Sequence, residues 1–271
     1  VLAPQYWFGD IIETGYSLDE LDMKILDHIP FDMASEELFR QLHLDPQAQY
    51  AREINTLIES ARQLARPRAV YEVAFVEHKD ADSVIVRRAP PDARQAAPQP
   101  IGPERARFTS RVLRANLDGV ERVFPYVVTC GPELDAIPVE DGDVFGQFCR
   151  DTIKGMALHA AIIHLTNHLK QAYALETLAS MNPGSGDLNV WPIEQQKELF
   201  GFLGDVQATV GVVLTDTCLM VPNKSVSGIF FPSEYGFESC QLCHREDCPG
   251  RRAPFDPHLW EERLVSGSES D

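Results

Sequence analysis

The sequence predicts an α+β or mixed α/β fold in which helices and strands do not alternate as a regular βαβ series. Three observations carry this. Helical periodicity fills residues 1–67, a continuous apolar run spans Val120–Cys130, and a long helical pattern runs from about Asp143 to Leu175.

Taken in order, Ser17-Leu18-Asp19-Glu20 opens a first predicted helix with Leu21, Ile25 and Ile29 at spacing four. Ser35 caps a second, with Glu36 and Glu37 in the first turn, where the helix dipole favours anions. Asp45 caps a third and Pro46 takes its first position. Tyr50, Ile54, Leu57, Ile58, Ala61 and Leu64 form its apolar face, and Pro67 ends it. Strands are expected at Ala69–Glu77 and Ser83–Arg87. Residues 89–104, rich in Pro and Ala, read as an extended loop, and Arg107–Leu117 as a short helix.

Val120–Cys130 reads as a buried strand that stops at Gly131-Pro132. In the long helix, Phe145, Phe148, Ile153, Met156, Ile163 and Leu169 predict extensive burial. A loop, Asn182-Pro183-Gly184-Ser185-Gly186-Asp187, then leads through Trp191-Pro192 to a helix ending at Leu203. Val210–Val221 and Ser225–Phe231 are expected to form a hairpin around Pro222-Asn223-Lys224. Three regions follow: a helical one (1–67), a core (68–252) and a tail (253–271).

Composition narrows the function. The 271 residues include 41 acidic and 24 basic ones, a formal charge of -17, which argues against nucleic acid and suits a basic partner face. There is no transmembrane-length apolar run, and Val1-Leu2-Ala3-Pro4 shows no signal-peptide pattern, so a cytoplasmic protein is expected. Six cysteines are too sparse for a secreted disulfide scaffold.

Cys240, Cys243 and Cys248 form C-x2-C-x4-C within nine residues. Thiolates at this spacing can converge on one metal without regular secondary structure. A disulfide with a spare thiol and a structural zinc site are the alternatives. An iron–sulfur cluster is favoured because Pro249 directly follows the last cysteine and only one C-x2-C knuckle is present. A fourth ligand could come from Cys130, Cys218 or His244, although Cys130, Cys149 and Cys218 also suit buried packing. His164 and His168 share a helix face at metal-ligand spacing but have no HExxH context, so packing or surface roles are expected. Pro183, Gly184, Ser185, Gly186 and Asp187 could let a ligand approach the backbone. They lack the Lys and Ser/Thr of a P-loop and are not expected to follow a strand.

The chain resembles the activation (reactivation) domain family of vitamin B12-dependent methionine synthase, in the form of a stand-alone member with a C-terminal cysteine motif. The resemblance spans about Ala65 to Arg252. It is carried by Ala65–Tyr71, Thr129–Leu134, Gly142-Asp143 through Asp151, Asn182–Lys197, Leu214–Pro222 and Lys224–Gly228. It implies a twisted, curved antiparallel sheet with flanking helices. It also implies docking on a corrinoid protein or cobalamin-dependent methyltransferase that carries the cobalamin and is reactivated from Co(II). The family's R-x-x-x-G-Y methyl-donor motif falls on Ser180–Ser185, keeping Gly184 but not the Arg or the Tyr. A family Glu that reaches the donor falls on His159. The losses argue against S-adenosylmethionine binding. The cysteines suggest an electron brought by a cluster instead, from an external donor.

Overall fold

The computed structural model describes residues 24–46, 50–89, 102–186, 190–233, 237–248 and 251–262. Its centre is an eight-stranded sheet with order β1-β2-β6-β3-β4-β5, in which β10 pairs with β6 and carries β7 on its other side. The strands are β1 (Lys24–Leu26), β2 (Arg68–Tyr71), β3 (Ala74–Lys79), β4 (Ser83–Arg88), β5 (Arg105–Thr109), β6 (Arg122–Thr129), β7 (Leu178–Met181) and β10 (Ser225–Pro232). All these pairings are antiparallel. A separate small sheet joins β8 (Val213–Leu214) to β9 (Met220–Val221).

β6 is the axis because its sequence is apolar on both faces, as a fully covered strand requires. Val123 and Val127 enter one core cluster, and Phe124, Tyr126 and Val128 the other. The first face is covered by α3 (Arg111–Asn116), α5 (Gln196–Leu203) and α6 (Val206–Val210), with Trp191 fully buried and edge-on to Phe108. The opposite face meets Ala161, Leu165 and Leu169 of α4 (Val144–Ala172). The N-terminal half of α4 forms a third cluster with α1 (Ser35–Gln41) and α2 (Ala51–Leu64) through Leu38, Ile54, Ile58, Cys149 and Ile153. Each fully buried Leu, Ile or Phe contributes about 1.5–3 kcal/mol of burial. None of the described helices is long and apolar enough to cross a membrane.

Several sequence expectations need correction. Ile25 lies in strand β1, opposite Val70, instead of in a helix. Ala34 rather than Ser35 is the N-cap of α1, without a side-chain bond. The third helix starts at Ala51, not next to Pro46. Residues 105–109 are a strand because Ala106 and Phe108 alternate inward. Ser110 then caps α3 by accepting from Leu113 N–H. The expected strand Ala69–Glu77 is split into β2 and β3 but keeps one register on β6, with Tyr71 opposite Tyr126 and Ala74 opposite Val123. The break faces Pro125, which accepts from Glu72 N–H but has no N–H to return.

β10 does not pair with Val210–Val221 but inserts between β6 and β7. Gly228 permits the close approach of β7, since a Cβ there would sit 2.4 Å from both Asn182 Nδ2 and the Met181 carbonyl. Cys218 is in the turn between β8 and β9 with φ +63°, not inside a strand. The long helix is not buried all round as expected: Val144, Phe148 and Ile163 are exposed on its outer side.

Candidate docking and thiol site

Three features are joined by contacts through the middle one: a cavity, the glycine loop and the thiol loop. The cavity has a volume of about 780 Å³ and lies between α4 and the segment 215–225. Its polar floor is one continuous chain of contacts. Lys154 Nζ meets Asp135 Oδ1 at 2.5 Å and donates to Asn223 Oδ1 at 2.8 Å. Asn223 Nδ2 donates to Asp151 Oδ1 at 3.2 Å, and Asp151 Oδ2 meets Lys224 Nζ at 2.8 Å. Burial opposes ionisation of Asp151, but the bonds from Lys224 and Asn223 outweigh it and hold the carboxyl below its usual range. On the far wall, Gln196 donates to the Cys218 carbonyl at 3.3 Å.

The rim is apolar. Among the described residues, Phe148 is 56% exposed, Val144 75%, Leu219 62% and Val221 52%. Leu219, Val221 and Ile193 line the cavity, while Val144 and Phe148 are exposed beside it on the adjoining face of α4. Exposed large side chains scattered singly need no explanation, but a group around one concavity marks an interaction site.

The glycine loop touches this rim. It follows strand β7, contrary to expectation. Asn182 anchors it by donating to Tyr126 Oη and the Ser227 carbonyl, both at 2.8 Å. Pro183 is buried, Ser185 N–H donates to the Asn182 carbonyl at 3.0 Å, and Gly184 N–H to the Trp191 carbonyl at 2.8 Å. Gly184 has φ +79°, and a Cβ there would press on Ile193 at 2.9 Å, so only glycine fits. Gly186 faces the other way, and its Cβ would stand 3.6 Å from the Ser239 carbonyl, in the cysteine segment. Asp187 lies outside the described residues. His159 is the other expected ligand-contact position. It is exposed on α4, in line with Phe148 and Ile163, and has no polar contact with the loop among the described residues.

The cysteine segment begins with a 3-10 turn (Ser239–Leu242) closed by a reciprocal capping pair, Glu238 and Gln241. Phe237 and Leu242 fix it to the first core cluster, and Glu238 bridges Ser180 at the β7 edge. Cys240, Cys243 and Cys248 are free and half-buried. Cys240 Sγ accepts from Arg252 N–H at 3.4 Å. In chemistry the donor set suits a thiophilic metal, because three partly solvated thiols are soft ligands of the kind such a site uses. In position it is open: among the described residues, no group of three or more His, Cys, Asp or Glu side chains stands ready to hold one ion.

The expected fourth ligands fare differently. Cys130 is sealed in the third cluster, and burial pushes its thiol up to about 12. Cys149 is likewise buried, at about 11. Cys218 belongs to the cavity wall. His244 adjoins the thiols, but its ring lies 4.3 Å from both Phe255 and Trp260. His168 serves packing, with Nε2 2.8 Å from the Tyr71 hydroxyl. Sequence reading missed Lys154, Asn223, Phe148 and Leu219 as site residues. The signal that could have found them is the grouping of polar and apolar residues in Leu214–Lys224, which has no place in a plain hairpin.

No family model matches the chain, and no curated protein matches it in sequence. Among solved structures it is similar to the MetH reactivation domain bound to AdoHcy. The TM-score is 0.53 and the identity 15%, covering 81% of this chain and 82% of that one. The shared fold is that of the activation domain. In that structure the ligand is AdoHcy.

Proposed function

We propose that this protein docks on a corrinoid protein or cobalamin-dependent methyltransferase and supports its reductive activation, the return of Co(II) to Co(I). The observation that carries this reading is the fold shared with the MetH reactivation domain over most of both chains. The apolar rim supports it, because grouped exposed apolar side chains mark interaction sites. In this reading the corrinoid belongs to the partner. Phe148, Leu219 and Val221 cover its surroundings and exclude water, while the chain Asp135–Lys154–Asn223–Asp151–Lys224 holds the rim loop against α4. Gly184 lets the loop backbone pack against Ile193 of the cavity wall, and Gly186 lies beside the Ser239 carbonyl of the thiol loop.

Cys240, Cys243 and Cys248 would hold an iron–sulfur cluster, which when bound passes single electrons from an external donor. S-adenosylmethionine has no place in this reading: Ser180 and Ser185 stand where the family motif has Arg and Tyr, so the fork for the donor's carboxylate is missing. Anaerobic purification with iron, sulfide and zinc assays tests the cluster. Brown protein with matching iron and sulfide is expected. Cys240→Ser, Cys243→Ser or Cys248→Ser should each lose the iron and leave the melting of the core unchanged.

A second reading is a docking module without redox activity, with zinc or no metal at the thiols. The open arrangement of the three cysteines favours it. Colourless protein lacking iron would establish that reading over the first.

A further inference from the structure

All three cysteines of the thiol loop give a backbone carbonyl to one residue. The Arg251 guanidinium donates to the Cys240 carbonyl at 3.2 Å and the Cys243 carbonyl at 2.9 Å. The Arg251 backbone N–H donates to the Cys248 carbonyl at 3.0 Å. The same guanidinium reaches the carbonyls of Arg245 and of Ala253, the latter at 3.0 Å. Arg252 adds the bond to Cys240 Sγ and an ion pair to Glu238 at 2.9 Å.

A guanidinium is always charged and donates in a fixed planar fork. Bonds from it to carbonyls are charge-assisted and stronger than neutral ones. Small thiol loops commonly have no structure without their ion, so that metal binding is also folding. Here the chain supplies a hub of its own, and the loop carbonyls turn towards it.

We propose that Arg251 is the positioning residue of the thiol loop. It sets the path of residues 240–248 in the metal-free chain, so the loop is folded before any ion arrives. This holds whatever the chain's function. Its consequence for metal affinity rests on the reading that the triplet takes a metal. Lysine keeps the charge but, as a point charge on a flexible stem, cannot span carbonyls on several sides.

The test is amide hydrogen exchange on the full chain after chelator treatment, for the wild type, Arg251→Lys and Arg251→Ala. The amides to read are Cys243, bonded to the Cys240 carbonyl, and Arg251, bonded to the Cys248 carbonyl. Both should be protected in the metal-free wild type. In both variants they should exchange at least about tenfold faster, as loss of charged hydrogen bonds implies. Amides of β6 serve as the fold control and should not change. Zinc(II) affinity by chelator competition should fall about 10–100-fold, the usual cost of losing a residue that supports ligands.

Wild-type loop amides that exchange freely until zinc is added would overturn the proposal. So would unchanged loop protection in Arg251→Lys, or loss of β6 protection, which would make Arg251 a core residue. Absence of zinc and iron binding by the wild type would instead sink the metal reading, and the exchange comparison would still decide the role of Arg251.

Discussion

Lys154 is an ammonium buried in the long helix, and a residue of that type is stable there only with partners on hand. Asp135 and Asn223 provide them from positions 19 and 69 residues away in sequence. That separation is why its role was invisible in the sequence, where a helical lysine reads as solvated. Lys154→Met should destabilise the protein by about 1–3 kcal/mol, measured by urea unfolding, because Asn223 and Asp135 lose their donor. His168 was legible in outline, as a packing histidine, but its contact with Tyr71 was not. Burial first, and then His164, hold its pKa below the usual value. The unfolded chain therefore binds its proton at higher pH, near about 6.5, than the folded chain does. Stability contributed by neutral His168 is present above that pH and is lost as pH falls towards the folded value. His168→Gln should flatten the fall of the melting temperature between about pH 7 and about pH 5.

At the scale of elements, apolar periodicity found β6, α2 and α4 because each follows one pattern for many residues. It failed where tertiary pairing overrode it. β1 and β7 are only three and four residues long, too short to show a period, and exist through pairing with β2 and β10. The expected hairpin at 210–231 failed because β10 is apolar on both faces and suits an interior position between two strands. The outer stripe of α4 departs from the burial its composition predicts, since Phe148 and Ile163 are hydrophobic wherever they point. Their exposure shifts the interpretation from core to contact. A double variant, Phe148→Ser with Leu219→Ser, should change stability by no more than about 0.5 kcal/mol in thermal or urea melts, as surface positions do. A drop well beyond that would mean the rim belongs to the core.

At the scale of the molecule, the fold class was readable because a sheet axis buried on both faces and a long covering helix leave few architectures open. The site was readable only in pieces. The cysteines and glycines stand out by type, whereas the contacts of the glycine loop with the cavity wall and the thiol loop depend on chain crossings that no local pattern records. The acidic balance, -17, predicts that docking on a basic partner face weakens as salt rises. The central claim is corrinoid reduction, and the most direct measurement is anaerobic. A corrinoid protein carrying its cobalamin as Co(II) is mixed with titanium(III) citrate and the protein, and the formation of Co(I) is followed by absorbance. The wild type is expected to speed this conversion, and Phe148→Ser with Leu219→Ser, folded but with its rim altered, to lose most of the gain. Equal rates with and without the protein, and no change in the corrin spectrum on mixing, would contradict it.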